Sequence, residues 1–287
     1  MKLFDPRTTP ARPDLAAAHL EGKVTAARFV AAEPREVIAP TAPLRHAPSP
    51  DAALDTEALK GERVAVYETS MEGWAWGQLE ADGYVGFIPA GALRDPGPAP
   101  THKVTALRTL VFPGPSIKLP PVEALALGSR LAIARIEGPF AVAASGGYLP
   151  ARHLAAIDSA ERDFVAVAER FLGTPYLWGG KTSLGLDCSG LVQVALTACG
   201  VACPRDSDMQ EKALGETLTP PVDLSRLKRG DLLFWKGHVA IVHDAATLVH
   251  ANAFHMAVTF EPIAEAIVRI RATGSEVTSV RRLALRP

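Results

Sequence analysis

A chain of 287 residues, 48% apolar, has material for two or three separate cores. Its 30 basic and 31 acidic side chains leave a formal net charge of -1, without the basic cluster that grips a phosphate backbone, so nucleic acid is not an expected partner. No run is apolar enough for a bilayer or a secretory signal, and Cys188, Cys199 and Cys203 are too few for a disulfide scaffold, so a cytoplasmic chain without membrane contact is expected.

Residues 1–35 open with Pro6, Pro10 and Pro13 and then carry a helical pattern over 14–20 with Asp14 as its cap, which predicts an arm lying on a neighbouring domain. Residues 36–97 hold short alternating runs, Val64-Ala65-Val66-Tyr67, Trp74-Ala75-Trp76 and Val85-Gly86-Phe87-Ile88, punctuated by Asp82-Gly83. Residues 101–157 repeat the theme with Leu131-Ala132-Ile133, Phe140-Ala141-Val142 and Gly146-Gly147-Tyr148. Both segments predict small antiparallel β-barrels. The alternate prolines of Asp95-Pro96-Gly97-Pro98-Ala99-Pro100 predict a stiff linker holding them apart as separate barrels.

From residue 158 to 287 the period changes. Phe164, Val165, Ala168 and Phe171 recur at helical spacing before Gly173, a second helix runs from Cys188 to Gly200, and a third starts at Ser207 with Gln210 completing a capping box. Strands follow at Asp231–Trp235, Val239–Val242 and Thr247–His250, then a helix over 263–270. Helices first and strands later predict an α+β domain.

The chemistry concentrates at Cys188. A cysteine at the head of a helix lies among unpaired N–H groups whose partial positive charge lowers a thiol pKa, which predicts a thiolate nucleophile. Such a nucleophile needs a base, and the base needs an orienting group. His238 and His250 fit both roles, because a hairpin centred near Asp244 sets them directly opposite one another, with Cβ atoms about 4.5–5.5 Å apart. By alternation His243 falls on the other face. Cys199 and Cys203 are read as structural, and no metal or other cofactor is expected.

The segments Pro175-Tyr176-Leu177-Trp178-Gly179-Gly180, Asp187-Cys188-Ser189-Gly190, Gly230-Asp231-Leu232-Leu233-Phe234-Trp235, Gly237-His238-Val239-Ala240 and His250-Ala251-Asn252 resemble the NlpC-type peptidases, papain-like cysteine hydrolases of bacterial cell-wall peptides. That resemblance implies Cys188 as nucleophile, His238 as general base and acid, His250 as the orienting third member, and Tyr176 at the oxyanion. Two SH3-like barrels ahead of such a domain are similar to the dipeptidyl-peptidase VI enzymes. These cleave the γ-D-glutamyl to diamino-acid bond in peptides with a free N-terminal L-alanine. The expected partner is therefore a murein peptide, L-Ala-γ-D-Glu-diamino acid. Its ammonium is assigned to Asp187, Glu68 and Tyr84, and its D-glutamyl carboxylate to Arg205, Ser207 and Ser189. The second barrel lacks the Trp74/Trp76 pair and reads as scaffold. Three other readings stay open: a hydrolase of polymeric peptidoglycan, a non-catalytic wall-peptide binder, and an acyltransferase using the same intermediate. The oligomeric state is not readable from the sequence.

Overall fold

The computed structural model describes residues 4–218 and 226–284. The chain divides into two compact units, Met1–Asp158 and Ser159–Pro287.

In the first unit, seven strands form one sheet in the spatial order Leu54–Leu59, Thr41–Arg45, Val85–Pro89, Trp74–Leu79, Arg63–Thr69, Glu33–Val37, Leu93–Arg94. It wraps a core that includes Val37, Leu44, Val64, Leu79, Tyr84 and Ile88. The hydrogen-bond ladder does not close into a ring among the described strands. The second half carries three short sheets around Val104, Val111, Leu125, Leu131, Ala143 and Leu149. The two halves touch one another across the proline linker. Arg130 N–H donates to the Lys60 carbonyl at 2.8 Å, and Lys60 Nζ reaches Glu123 Oε2 at 2.6 Å. The linker itself is tied down, with Gly97 N–H donating to Glu36 Oε2 at 2.9 Å.

Among its described residues the arm holds no α-helix. Ala16–Ala17 pairs as a strand with Phe29–Val30, and Ala18–Leu20 makes one 3-10 turn. Seven residues behind Pro13 cannot offset the cost of nucleating a helix, and Asp14 pairs with Arg12 instead of capping.

The second unit is an antiparallel six-stranded sheet with helices, an α+β arrangement. Its strands are β1 (Glu216–Thr217), β2 (Leu232–Trp235), β3 (His238–Val242), β4 (Thr247–Asn252), β5 (Ala257–Pro262) and β6 (Val277–Arg282), in the order β1-β6-β2-β3-β4-β5. Helix α1 (Phe164–Glu169) is capped by Asp163, whose Oδ1 accepts from the N–H groups of Val165 and Ala166. Helix α2 (Cys188–Ala198) is buried at every position from Cys188 to Leu196, which makes it the central helix, packed on β3 and β4. Helix α3 spans Ser207–Ala213 and α4 spans Ile263–Arg271. The β1 and β6 strands escaped sequence prediction because polar residues break their apolar alternation, and β5 because its alternating run, Val258-Thr259-Phe260-Glu261, is short.

Candidate active site

Asp187 fixes the start of α2. It is the N-cap residue, and its Oδ1 accepts from Gly190 N–H at 2.7 Å while Oδ2 accepts from Gly179 N–H at 2.8 Å. Gly190 must be glycine here, because an added Cβ would come within 2.3 Å of the Gly180 carbonyl oxygen. The same carboxylate receives both Nη groups of Arg205, at 2.9 and 2.7 Å, and Arg205 is 1% exposed. Ser189 Oγ accepts from Arg205 Nη1 at 3.0 Å and donates to Asp187 Oδ1.

The sulfur of Cys188 lies in this frame, with the N–H groups of Ser189 and Val239 directed at it. Val239 follows His238 at the beginning of β3, so the Cys188 sulfur lies where the starts of α2 and β3 come together. Burial, and then the Asp187 charge, push the thiol up to about 12 against the Val239 N–H, Arg205 and the Ser189 N–H. Burial thus opposes the thiolate that the helix terminus favours.

His238 and His250 do come together, but in a different register from the one expected. Ile241 pairs with Val249 and Val242 with Leu248, so the hairpin is centred at Ala245 and His250 lies across from Ala240. The imidazoles meet on the diagonal, with ring centroids 5.2 Å apart and His238 Nε2 at 2.9 Å from His250 Nδ1. The turn is set by Asp244 Oδ1, which accepts from the N–H groups of Ala246 and Thr247. His243 points away to Glu169 and Asp244.

A residue that sequence reasoning missed completes this line. His250 Nε2 is 2.8 Å from Glu261 Oε2 on β5, and Arg269 of α4 grips Glu261 through Nε and Nη2 at 2.8 and 2.7 Å. Arg269 and His250 hold the Glu261 carboxyl down to about 2 against burial. Burial, with His250 and Arg269 adding to it, lowers His238 to about 3, and burial likewise lowers His250, so both rings rest neutral. Nothing in the run Ala257-Val258-Thr259-Phe260-Glu261-Pro262 marked Glu261 apart from a solvated strand carboxylate.

Tyr176 is half-buried, held by its N–H donating to the Met256 carbonyl at 2.9 Å. Burial, and then the charges of Cys188 and Asp187, raise its hydroxyl, which stays a protonated donor beside the sulfur. Ser207 begins α3, but Asp206 is the N-cap and no capping box forms. Gln210 is drawn inward instead, its Nε2 donating to the carbonyls of Ser189 and Pro204. Asp187, Ser189 and Arg205 are thus hydrogen-bonded to one another at the start of α2. In the first unit, Glu68 is paired with Arg12 and Arg28, and Tyr84 is 6% exposed in the core of the sheet. The Tyr84 ring packs among Val37, Leu44, Val64, Leu79 and Ile88.

Residues 173–276 match the NlpC/P60 family, and residues 44–93 match the bacterial dipeptidyl-peptidase SH3 domain. A Lysinibacillus sphaericus protein named dipeptidyl-peptidase 6 is 41% identical over 88 residues, which is 31% of this chain and 31% of its own length. A Bacillus subtilis protein named gamma-D-glutamyl-L-lysine dipeptidyl-peptidase is 29% identical over 248 residues, 81% of this chain and 82% of its own. In fold, an NlpC/P60 family protein from Bacillus cereus superposes with a TM-score of 0.73 at 21% identity, covering 88% of this chain and 100% of that one. Motifs, fold and matches agree: this chain carries an NlpC/P60 domain preceded by a bacterial SH3 domain.

Proposed function

We propose that this chain is a cysteine peptidase that hydrolyses the γ-D-glutamyl to diamino-acid bond of peptidoglycan stem peptides bearing a free N-terminal L-alanine, in the recycling of wall peptides. The observation that carries the reading is the meeting of Cys188, at the head of a buried helix, with the start of the strand that brings His238 onto His250. The finer specificity draws on the relatives named dipeptidyl-peptidase 6 and gamma-D-glutamyl-L-lysine dipeptidyl-peptidase. Glu68, already held by two arginines, and Tyr84, in the core, add nothing to it. We place the enzyme in the cytoplasm, where reducing conditions keep Cys188 free.

In this mechanism the Cys188 sulfur attacks the γ-carbonyl carbon as its proton passes to His238 Nδ1, the ring nitrogen left over by the bond of Nε2 to His250. The oxyanion receives the Cys188 N–H and the Tyr176 hydroxyl. His238 then protonates the departing diamino-acid amine as the C–N bond breaks. Water, deprotonated by the same nitrogen, attacks the thioester, and the dipeptide leaves with the thiol restored.

Cys188→Ala is expected to lose about 10⁴-fold or more in turnover of L-Ala-γ-D-Glu-L-Lys, read by mass spectrometry, while still binding the peptide. Turnover at the parent rate would remove Cys188 as nucleophile. Release of fragments from intact sacculi, with the free tripeptide untouched, would replace the recycling reading with one of wall hydrolysis.

A further inference from the structure

We propose that Glu261 is a positioning residue that sets the proton arrangement of both imidazoles and thereby leaves a lone pair on His238 Nδ1 for the thiol proton. The inference rests on the reading of Cys188 as nucleophile and His238 as base.

Arg269 can only donate. Its Nε and Nη2 face the two oxygens of Glu261, and a carboxylate gripped in this way is ionised and accepts only. The third group on that carboxylate is His250 Nε2, at 2.8 Å, so this nitrogen carries the proton. A neutral imidazole has a single N–H, and His250 Nδ1 is therefore an acceptor. Facing it at 2.9 Å is His238 Nε2, which must donate. By the same rule the proton of His238 is spent on Nε2, and Nδ1 is bare.

The reversed arrangement shows why this matters. Were His250 protonated on Nδ1, His238 would have to accept there, its own proton would lie on Nδ1, and nothing would be left to receive the thiol proton. Glu261 enforces the productive arrangement from two hydrogen bonds away. Burial makes the arrangement rigid: the His250 and Glu261 side chains are 0% and 6% exposed, so water does not offer a competing partner. When His238 takes the thiol proton, the new positive charge is joined through His250 to a carboxylate, which favours the imidazolium.

Glu261 touches neither substrate nor sulfur in this scheme, so its removal is expected to act on kcat alone. Glu261→Met should lower kcat by about 10²- to 10⁴-fold, the range of an enzyme whose base is left in the wrong tautomer, with KM within about twofold. Glu261→Gln retains an acceptor and should recover part of that loss. Nitrogen-15 spectra of histidine-labelled wild-type protein should show His250 protonated on Nε2 and His238 bare on Nδ1. A kcat for Glu261→Met within twofold of the parent would overturn the proposal, as would Nδ1 protonation of His250. If Glu261→Met does not fold, the wild-type spectra decide alone. Activity surviving Cys188→Ala would instead sink the peptidase reading, so the two failures are distinct.

Discussion

Two carboxylate–arginine pairs serve the Cys188 region, and they differ in what the carboxylate does with its remaining bonds. Asp187, with Arg205, turns to backbone N–H groups at Gly179 and Gly190 and to the Ser189 hydroxyl. The backbone donors are fixed dipoles, so this network holds a position, namely the first turn of α2. Glu261, with Arg269, turns to an imidazole, whose proton can reside on either nitrogen. The same ionic pair therefore fixes a backbone in one place and a proton in the other. Exposure follows the roles: Arg205 is 1% exposed and Arg269 23%.

The comparison is broken most directly at Arg205. Arg205→Met leaves the Asp187 charge buried without its counter-ion, and loss of one partner of a buried pair costs about 3–5 kcal/mol. Urea unfolding should show that loss, with Asp187→Leu in the same chain recovering part of it. Glu261→Met should show a much smaller change in unfolding midpoint beside its large fall in kcat. Equal stability losses at the two sites would mean that both networks are structural.

A second expectation concerns the resting state of the pair that these networks flank. With the thiol pushed up to about 12 and His238 lowered to about 3, both by burial first, neither is charged at neutral pH. Iodoacetamide should alkylate Cys188 at pH 7 at least about tenfold more slowly than an unhindered cysteine, which titrates near 8.5, and the rate should climb towards pH 12. The stability signs follow. A raised thiol contributes fully below about pH 8.5 and loses that contribution as pH rises through about 12. A depressed imidazole contributes fully above about pH 6.5 and loses that contribution as pH falls through about 3. Cys188→Ala should flatten the alkaline slope alone, and rapid alkylation at pH 7 would contradict the neutral pair.

How much of this was legible depends on whether the signal was local. The helix at Cys188, the β2–β4 strands and the turn at Asp244 announce themselves through caps, apolar runs and a short Asx turn, all within a few residues of each other. The meeting of His238 with His250 was legible too, but its register was not, because moving the hairpin centre by one residue shifts every partner by two, which preserves each side-chain face and leaves no trace in the pattern. Glu261, Arg269 and the partnership of Asp187 with Arg205 were not legible, since each depends on strands or helices distant in sequence. At Cys188 two influences of different range oppose one another. Position at a helix end is local information, whereas burial is a property of the folded unit.

The third carboxylate–arginine cluster, in the first unit, extends the comparison to the surface. Glu68 is 29% exposed, and its partners Arg12 and Arg28 come from the N-terminal arm, with the Arg12 guanidinium also stacked 4.4 Å from the Trp76 ring centroid. Arg12 and Arg28 hold the Glu68 carboxyl below its usual range against the opposing effect of burial. An anion engaged twice has little attraction left for a substrate ammonium, and a solvated pair contributes at most about 1 kcal/mol to stability. Glu68→Gln is therefore expected to move the unfolding midpoint only slightly and to leave KM for a free-ended tripeptide within about twofold. A KM rise of about tenfold, confined to substrates with an unblocked amino terminus, would instead return Glu68 to the role of ammonium ligand and mean that the arm gives way to substrate.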